Sequence, residues 1–328
     1  MTDFESTIRP VPEREPDPLP SEVVAAADES PGLRGSDRLP PLPPPVIHAG
    51  VKRQRRWRAV YWRTLCGLIL LILVTGIVGP HIYPLKPLSQ DLTARLLPVW
   101  STNGDTFHLL GTDELGRDAL ARILVGIRVS VMVALTAVLI GTVIGASLGL
   151  LSGYFGGWVD GLIMRLVDMQ MAIPFLVFAM VLSAILGPGL VNTIIALGVT
   201  SWVVYARVVR SEVLSLRSRD YVDSARALGV GSGRVMLRHI FPNTFNNLVV
   251  IATLEIGHMI IIEASLSFIG LGVQPPEASL GSMVARGQSY VFNAWWVSAI
   301  PGVAILMVTL AFVLFGDALR DRLDPRRR

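Results

Sequence analysis

The chain has 328 residues, 52% hydrophobic and 16% charged, with a mean hydropathy of +0.55. That balance excludes an ordinary soluble domain and makes an all-α, polytopic membrane protein the default class. The single cysteine, Cys66, sits inside an apolar run, which excludes a disulfide framework, and a net charge of +4 is too modest for a nucleic-acid surface.

Residues 1–50 hold half of the 22 prolines, including Pro40, Pro41, Pro43, Pro44 and Pro45, together with acids such as Glu13, Glu15 and Asp28. Such a segment buries too little apolar surface to offset its ordering entropy and reads as a disordered Pro-rich tail without a signal-peptide core. A basic collar, Lys52, Arg53, Arg55, Arg56, Arg58 and Arg63, then precedes the first apolar run, about 64–83. By the positive-inside rule the tail and collar are cytoplasmic.

Further apolar stretches near 129–151, 171–187, 189–206, 245–269 and 294–315 each approach or exceed the roughly 17 residues that cross a bilayer. Six transmembrane helices with both termini cytoplasmic are therefore expected. The divisions are a tail (1–50), a first helix with its outer loop (51–128), and a five-helix core (129–328) that carries a cytoplasmic loop at 207–243. That loop is basic, with Arg207, Arg210, Arg217, Arg219, Arg226, Arg234 and Arg238, and so is the C-terminal end from Arg320 to Arg328. The outer loop runs against the rule, because Lys86, Arg95, Arg117, Arg122 and Arg128 offset its acids Asp91, Asp105, Asp113, Glu114 and Asp118.

Within the basic loop, DYVDSARALGVGSGRVMLRHIFPN (220–243) reads as a helix, a turn and a second helix. Asp220 caps the first helix with Asp223 in its first turn, Gly229 supplies a left-handed terminator, and Gly231, Ser232 and Gly233 make a tight bend. Pro242, which lacks an amide proton, marks a new helix start.

These residues resemble the "EAA" loop of ABC importer permeases, a signature of E-A-A, a three-residue gap, G, a nine-residue gap and I-x-L-P. The matching positions are Asp223, Ser224, Ala225, Gly229, His239, Phe241 and Pro242, with the spacing kept. Asp for Glu, Ser for Ala, His for Ile and Phe for Leu are the departures. The resemblance implies that Asp223, Ser224, Ala225, Arg226, Gly229 and Pro242 couple the chain to an ATPase.

Three other stretches extend it. GTDELGRDALARILVGIRVS (111–130) is similar to a segment of the C-type permease subunits of dipeptide, oligopeptide and nickel importers. Its Leu120, Ile123, Leu124 and Ile127 fall at helical spacing with Arg117, Asp118 and Arg122 on other faces, which predicts an amphipathic helix at the outer interface. GYFGGWVDGLIMRLVDMQMAIP (153–174) resembles that family's connection between spans two and three, where Arg165 and Asp168 are one turn apart and suited to pair. EASLSFIGLGVQPPEASLG (263–281) resembles its last outer loop, with Leu280 where Trp is expected. Trp295 and Trp296 suit an aromatic belt, and GDALRDRLDPRRR (316–328) is like the family's terminal segment.

The resemblance covers residues 50–328 and implies the type I ABC importer permease fold in a bacterial cytoplasmic membrane. It implies as partners a homologous second permease subunit, ABC ATPase subunits or a fused ATPase pair, an extracytoplasmic substrate-binding protein and the lipid bilayer. Peptides are the implied cargo, with nickel, a metal chelate or heme as alternatives.

The fifth apolar run contains Glu255, His258 and Glu263, unusual at membrane depth because a charge there costs on the order of 2.5–3.5 kcal/mol on insertion scales. Three readings stay open: interhelical hydrogen bonding or a polar helix end near the outer interface, a lining of the translocation path, and the proton relay of a proton-coupled secondary transporter.

Catalysis by the chain itself is not expected. A phosphate-binding loop needs a lysine after glycine, and Lys52 and Lys86 do not fit; nor do the histidines show metal-ligand spacing. No cofactor is expected in this chain, ATP and Mg being bound by partner ATPase subunits.

Overall fold

The computed structural model describes residues 50–84 and 86–323, and the contacts given below lie in the compact unit Arg53–Arg328. The tail expected over 1–50 lies outside these residues apart from Gly50, as do the last five residues. The helices are α1 (Gly50–Ile82), α2 (Ala119–Phe155), α3 (Gly157–Met171), α4 (Phe175–Leu186), α5 (Leu190–Arg217), α6 (Asp220–Ala227), α7 (Ser232–Val235), α8 (Phe241–Ile269), α9 (Leu280–Gly287) and α10 (Trp296–Leu323). A short hairpin pairs β1 (Ser101–Asn103) with β2 (Thr106–His108).

Five of the described segments are long and apolar enough to cross a membrane, and α3 with α4 passes the same test as a pair bent by 91°. Counted as one span, that pair brings the crossings to six, the third of them broken rather than the single helix predicted over 171–187. The break falls at Ala172–Pro174: Pro174 has no amide hydrogen to give α3, and it restricts the residue before it, so a new helix begins at Phe175.

The core is built where α2 lies parallel to α5. Gly141, Gly145, Gly149 and Gly153 recur every four residues and so share one face of α2. Along that face a Cβ on Gly145 would lie 2.7 Å from Tyr205 Cβ, one on Gly149 2.5 Å from the Ala206 carbonyl oxygen, and one on Gly153 2.8 Å from Val213 Cβ. Small residues let two backbones approach, and in a bilayer, where apolar surface has no water to escape, such close packing drives helix association. Tyr205, Ala206, Val209 and Val213 are accordingly fully buried.

Parallel α2 and α5 require a return crossing between them, which α3 and α4 supply. As α3 advances from Asp160 to Gln170, its partners on α5 fall back from Arg210 to Trp202, so the two helices run antiparallel. Asp160 takes a bidentate pair from Arg210, Nε at 2.5 Å and Nη2 at 2.7 Å. Asp168 is bound by Arg207 at 2.6 Å instead of by Arg165. The neighbour on its own helix loses to a guanidinium presented from across the interface.

α8 and α10 close the bundle, with a Cβ on Gly316 reaching 2.7 Å from Leu254. α1 packs antiparallel to α2, and Trp62 near its start stacks on Phe315 at 5.2 Å beneath the guanidinium of Arg322. Trp62 of α1 and Arg322 of α10 therefore lie at the same end of the bundle, the end that carries α6 and α7.

Candidate functional site

At that end the chain folds as the predicted elbow. α5 stops at Arg217, whose Nη1 donates to the carbonyl oxygens of Tyr154 at 3.0 Å and Gly153 at 3.4 Å, tying it to the last turn of α2. α6 follows with Asp220 and Asp223 in its first turn, where the helix dipole favours acids. Arg219, not Asp220, occupies the capping position, and it offers no side-chain cap. Gly229 has φ +77, its amide donates to Arg226 at 2.9 Å, and Val230 donates to Ala225 at 3.1 Å. This pair of bonds is the Schellman terminator, and it requires a left-handed residue that glycine adopts without penalty.

The bend is shorter than predicted. Ser232 and Gly233 already belong to α7, and a π-turn at Met236–Ile240 joins α7 to α8 without a break. Pro242 is exposed and follows directly on the π-turn, where the widened helix accommodates a residue without an amide hydrogen.

The candidate residues divide between two faces. Asp223 and Ser224 are exposed, and beside them Tyr221 and Leu228 project apolar surface, with Leu237 on the second arm; Leu228 is 84% exposed. Ala225 is instead buried at 8%, alongside Val222, so the elbow seats on the bundle through it. One turn of helix does not present four successive residues to one side, so Asp223 and Ser224 face outward where Ala225 faces the bundle. Arg226 is half-buried, its guanidinium 5.1 Å from the Tyr154 ring and 3.5 Å from Asp223. It latches α6 to the end of α2. Leu228 and Leu237 were not singled out from sequence, although apolar residues in a basic loop are a usable signal.

The acids of α8 divide similarly. Glu255 and His258, one turn apart, pair at 3.3 Å; Glu255 is largely covered, His258 is half-exposed, and the Phe175 ring stands 5.2 Å from the imidazole. Glu263 is fully buried and takes hydrogen bonds from Ser130 of α2 at 2.6 Å and Ser267 at 2.8 Å. Ser267 also accepts from the Val273 amide at 3.2 Å, so one carboxylate ties α2, α8 and the following loop. Of the three readings of this residue the geometry matches interhelical hydrogen bonding. Glu263→Ala would leave both serine hydroxyls without their acceptor, an expected loss of about 1–3 kcal/mol, while Glu263→Gln should lose less. Thermal unfolding in detergent checks this, and equal midpoints for all three proteins would remove the bridging role.

The opposite end is closed by a cap built from 83–118. The amphipathic interfacial helix predicted there is not a separate element: the helix starts at Ala119, capped by the Asp118 carboxylate on the Ala121 amide at 2.8 Å, and runs unbroken for 37 residues. Arg117, Asp118 and Arg122, predicted on faces away from the apolar stripe, are buried at 5%, 3% and 1%. Asp113 accepts from the Arg117 amide at 2.9 Å and from Arg117 Nε at 2.7 Å, and Arg122 Nε stands 3.4 Å from it. His108 Nδ1 lies 2.8 Å from Asp118. The loop's cations are thus partly neutralised inside its own fold.

Two cap groups outside the membrane segments have displaced pKa values. Burial, then the Asp118 carboxylate, pushes the Tyr83 phenol up to about 12. Hydrogen bonds from the Thr93 hydroxyl and amide hold Asp91 below the usual carboxylate range. Leu280, standing where a Trp was expected, is fully buried against Ile123 and Met283, with Gly126 leaving room for its side chain.

Comparison with known proteins places this architecture. The family described as "Binding-protein-dependent transport system inner membrane component" matches residues 141–328. The dipeptide transport system permease protein DppC of Escherichia coli (strain K12) is 46% identical over 259 residues, 79% of this chain and 86% of that protein. The di/tripeptide transport system permease protein DppC of Pseudomonas aeruginosa (strain UCBPP-PA14) is 43% identical with the same coverage. Among solved structures, an inward-facing conformation of the MetNI methionine ABC transporter aligns with a TM-score of 0.51 at 18% identity, covering 62% of this chain and 96% of that one, a likeness of fold. The chain is a multi-pass membrane protein and belongs to the family of binding-protein-dependent transport system inner membrane components.

Proposed function

We propose that this chain is one of two permease subunits of an ATP-driven importer of peptides, di- and tripeptides foremost. The observation that carries the reading is the elbow: a rigid helical protrusion, latched to the ends of α2 and α5, that presents Asp223, Ser224, Leu228 and Leu237 on one exposed end of the bundle. An acid near a helix N-terminus beside projecting apolar side chains fits insertion into a groove of an ATPase. The relatives, named for dipeptide and di/tripeptide transport, support the cargo class.

In this reading the elbow end is cytoplasmic, consistent with Arg219, Arg234, Arg238 and Arg320 gathered there, and so are both termini. The cap faces the outside, where an extracytoplasmic binding protein delivers cargo. The ATPases, as two subunits or a fused pair, hold ATP and Mg; this subunit supplies no catalytic group and transmits their closure. Half of the path is formed by the homologous permease subunit. Glu255 and His258 line the other half, since a half-exposed charged pair is costly against lipid.

Reconstitution of the co-purified complex in liposomes tests this with a radiolabelled dipeptide. Uptake should require ATP and survive a protonophore. Uptake that ignores ATP and collapses with the proton gradient would favour a secondary transporter. ATP-driven uptake of nickel or heme without dipeptide would overturn the cargo alone.

A further inference from the structure

The cap accounts for most of the cations of its motif. Arg117 and Arg122 gather on Asp113, Arg286 stands 3.9 Å from Glu114, and Arg95 donates to the Tyr290 hydroxyl at 3.4 Å. Arg128, two turns into α2 and exposed, has no ion-pair or hydrogen-bond partner among the described residues. It stands at one end of a groove of about 270 Å³ between α1 and α2, walled by Ile72, Leu73, Ile77, Val131, Met132 and Leu135. Gly76 forms part of the floor, bringing α1 close enough that a Cβ there would lie 3.4 Å from the Arg128 amide.

We propose that this groove binds an anionic phospholipid, with its phosphate on Arg128 and one acyl chain along the aliphatic wall. Three observations converge on that occupant. The cation lies opposite Gly76, six residues or about 9 Å inside the cap end of α1 at Ile82, within reach of a headgroup for a long side chain that extends toward the interface. From Arg128 the wall runs eight residues to Thr136, about 12 Å at 1.5 Å per residue, close to the roughly 15 Å depth of one hydrocarbon leaflet. The one polar lining group at the far end, the Thr136 hydroxyl, already donates to the Met132 carbonyl at 2.8 Å, so nothing there competes for a polar ligand. A guanidinium forms paired, charge-assisted bonds to a phosphodiester that lipids without net charge match less well.

The proposal rests on the membrane-spanning fold and not on any cargo, so it is tested apart from transport. The intact complex is purified, equilibrated with equal amounts of palmitoyl-oleoyl phosphatidylglycerol and phosphatidylcholine, and its retained lipids are counted by native mass spectrometry. Retained phosphatidylglycerol should fall about tenfold in Arg128→Gln, the effect of roughly 1.4 kcal/mol, and recover in part in Arg128→Lys. Leu135→Trp, which fills the wall, should lower retention with the arginine intact. Arg128→Gln decides the matter if the bulkier variant misfolds, because its side chain has no protein partner to lose. Equal phosphatidylglycerol on wild type and Arg128→Gln would overturn the proposal. So would a photo-crosslinker at Met132 that captures a protein subunit rather than the lipid.

Discussion

Gly229→Val is expected to leave the chain in the membrane at normal abundance while cutting ATP-driven uptake by about tenfold. A Cβ at this position meets nothing within 4 Å, so the defect is not a clash. It is conformational: φ is +77, and a left-handed residue other than glycine costs roughly 1–2 kcal/mol, more when β-branched. A penalty of that size changes the population of the Schellman turn by roughly 5–30-fold. With the turn lost, α6 and α7 change their mutual angle, and the face bearing Asp223, Ser224 and Leu228 no longer fits the ATPase groove proposed for it. ATP hydrolysis should continue without transport. Gly229→Asn, which tolerates the left-handed region, should keep most of the uptake, so comparing the two variants separates backbone geometry from mere bulk. Full uptake by the valine variant would remove the elbow's coupling role.

Gly145→Leu should do the opposite, depleting folded protein before any question of transport arises. The first added carbon falls on the Trp202 carbonyl oxygen and 2.7 Å from Tyr205 Cβ, and the Tyr205 side chain is itself fully buried. Neither a carbonyl nor a core tyrosine gives way, so α2 and α5 must separate. Overpacking of this kind costs about 1–3 kcal/mol, and for a domain of this size each kcal/mol lowers the midpoint by roughly 2–4 °C. A fall of about 6 °C is expected in thermal unfolding of the purified protein. Gly161→Leu is the internal control: the same change in an exposed helical glycine with nothing within 4 Å should leave the midpoint unchanged. If both variants melt alike, close approach is not what holds the two helices.

The contrast between these glycines also shows which parts of the fold were legible in the sequence. Gly229 was readable because its signal is local: two acids, a short apolar run and a glycine specify a helix and its stop within ten residues. The ladder of Gly141, Gly145, Gly149 and Gly153 went unread, although its spacing is the small-residue pattern of membrane interfaces. A span located by hydropathy alone says nothing of which face packs.

The cap failed for a different reason. Leu120, Ile123, Leu124 and Ile127 at helical spacing with charges elsewhere is what an interfacial helix looks like, and a helix end beneath a folded-back loop looks the same. Contacts from distant positions distinguish them: Asp113 on Arg122, His108 on Asp118 and Leu280 against Ile123. In the same way Arg165 was the sequence-local partner for Asp168, while Arg207, thirty-nine positions away, was the spatial one. Of the two acids on α8, Glu263 differs from Glu255 through Ser130, whose separation of 133 residues no local reading bridges.

The seating of α2 against α5 has a mechanical corollary. Two rods whose backbones nearly touch along successive turns do not slide or splay; they swing as one stiff beam. By its 28 residues α5 is about 42 Å long, so a single degree of swing imposed at the Arg217 end displaces the other by roughly 0.7 Å. Five degrees would shift the far tip by about the width of a methylene chain, enough to widen or pinch a passage without melting any helix.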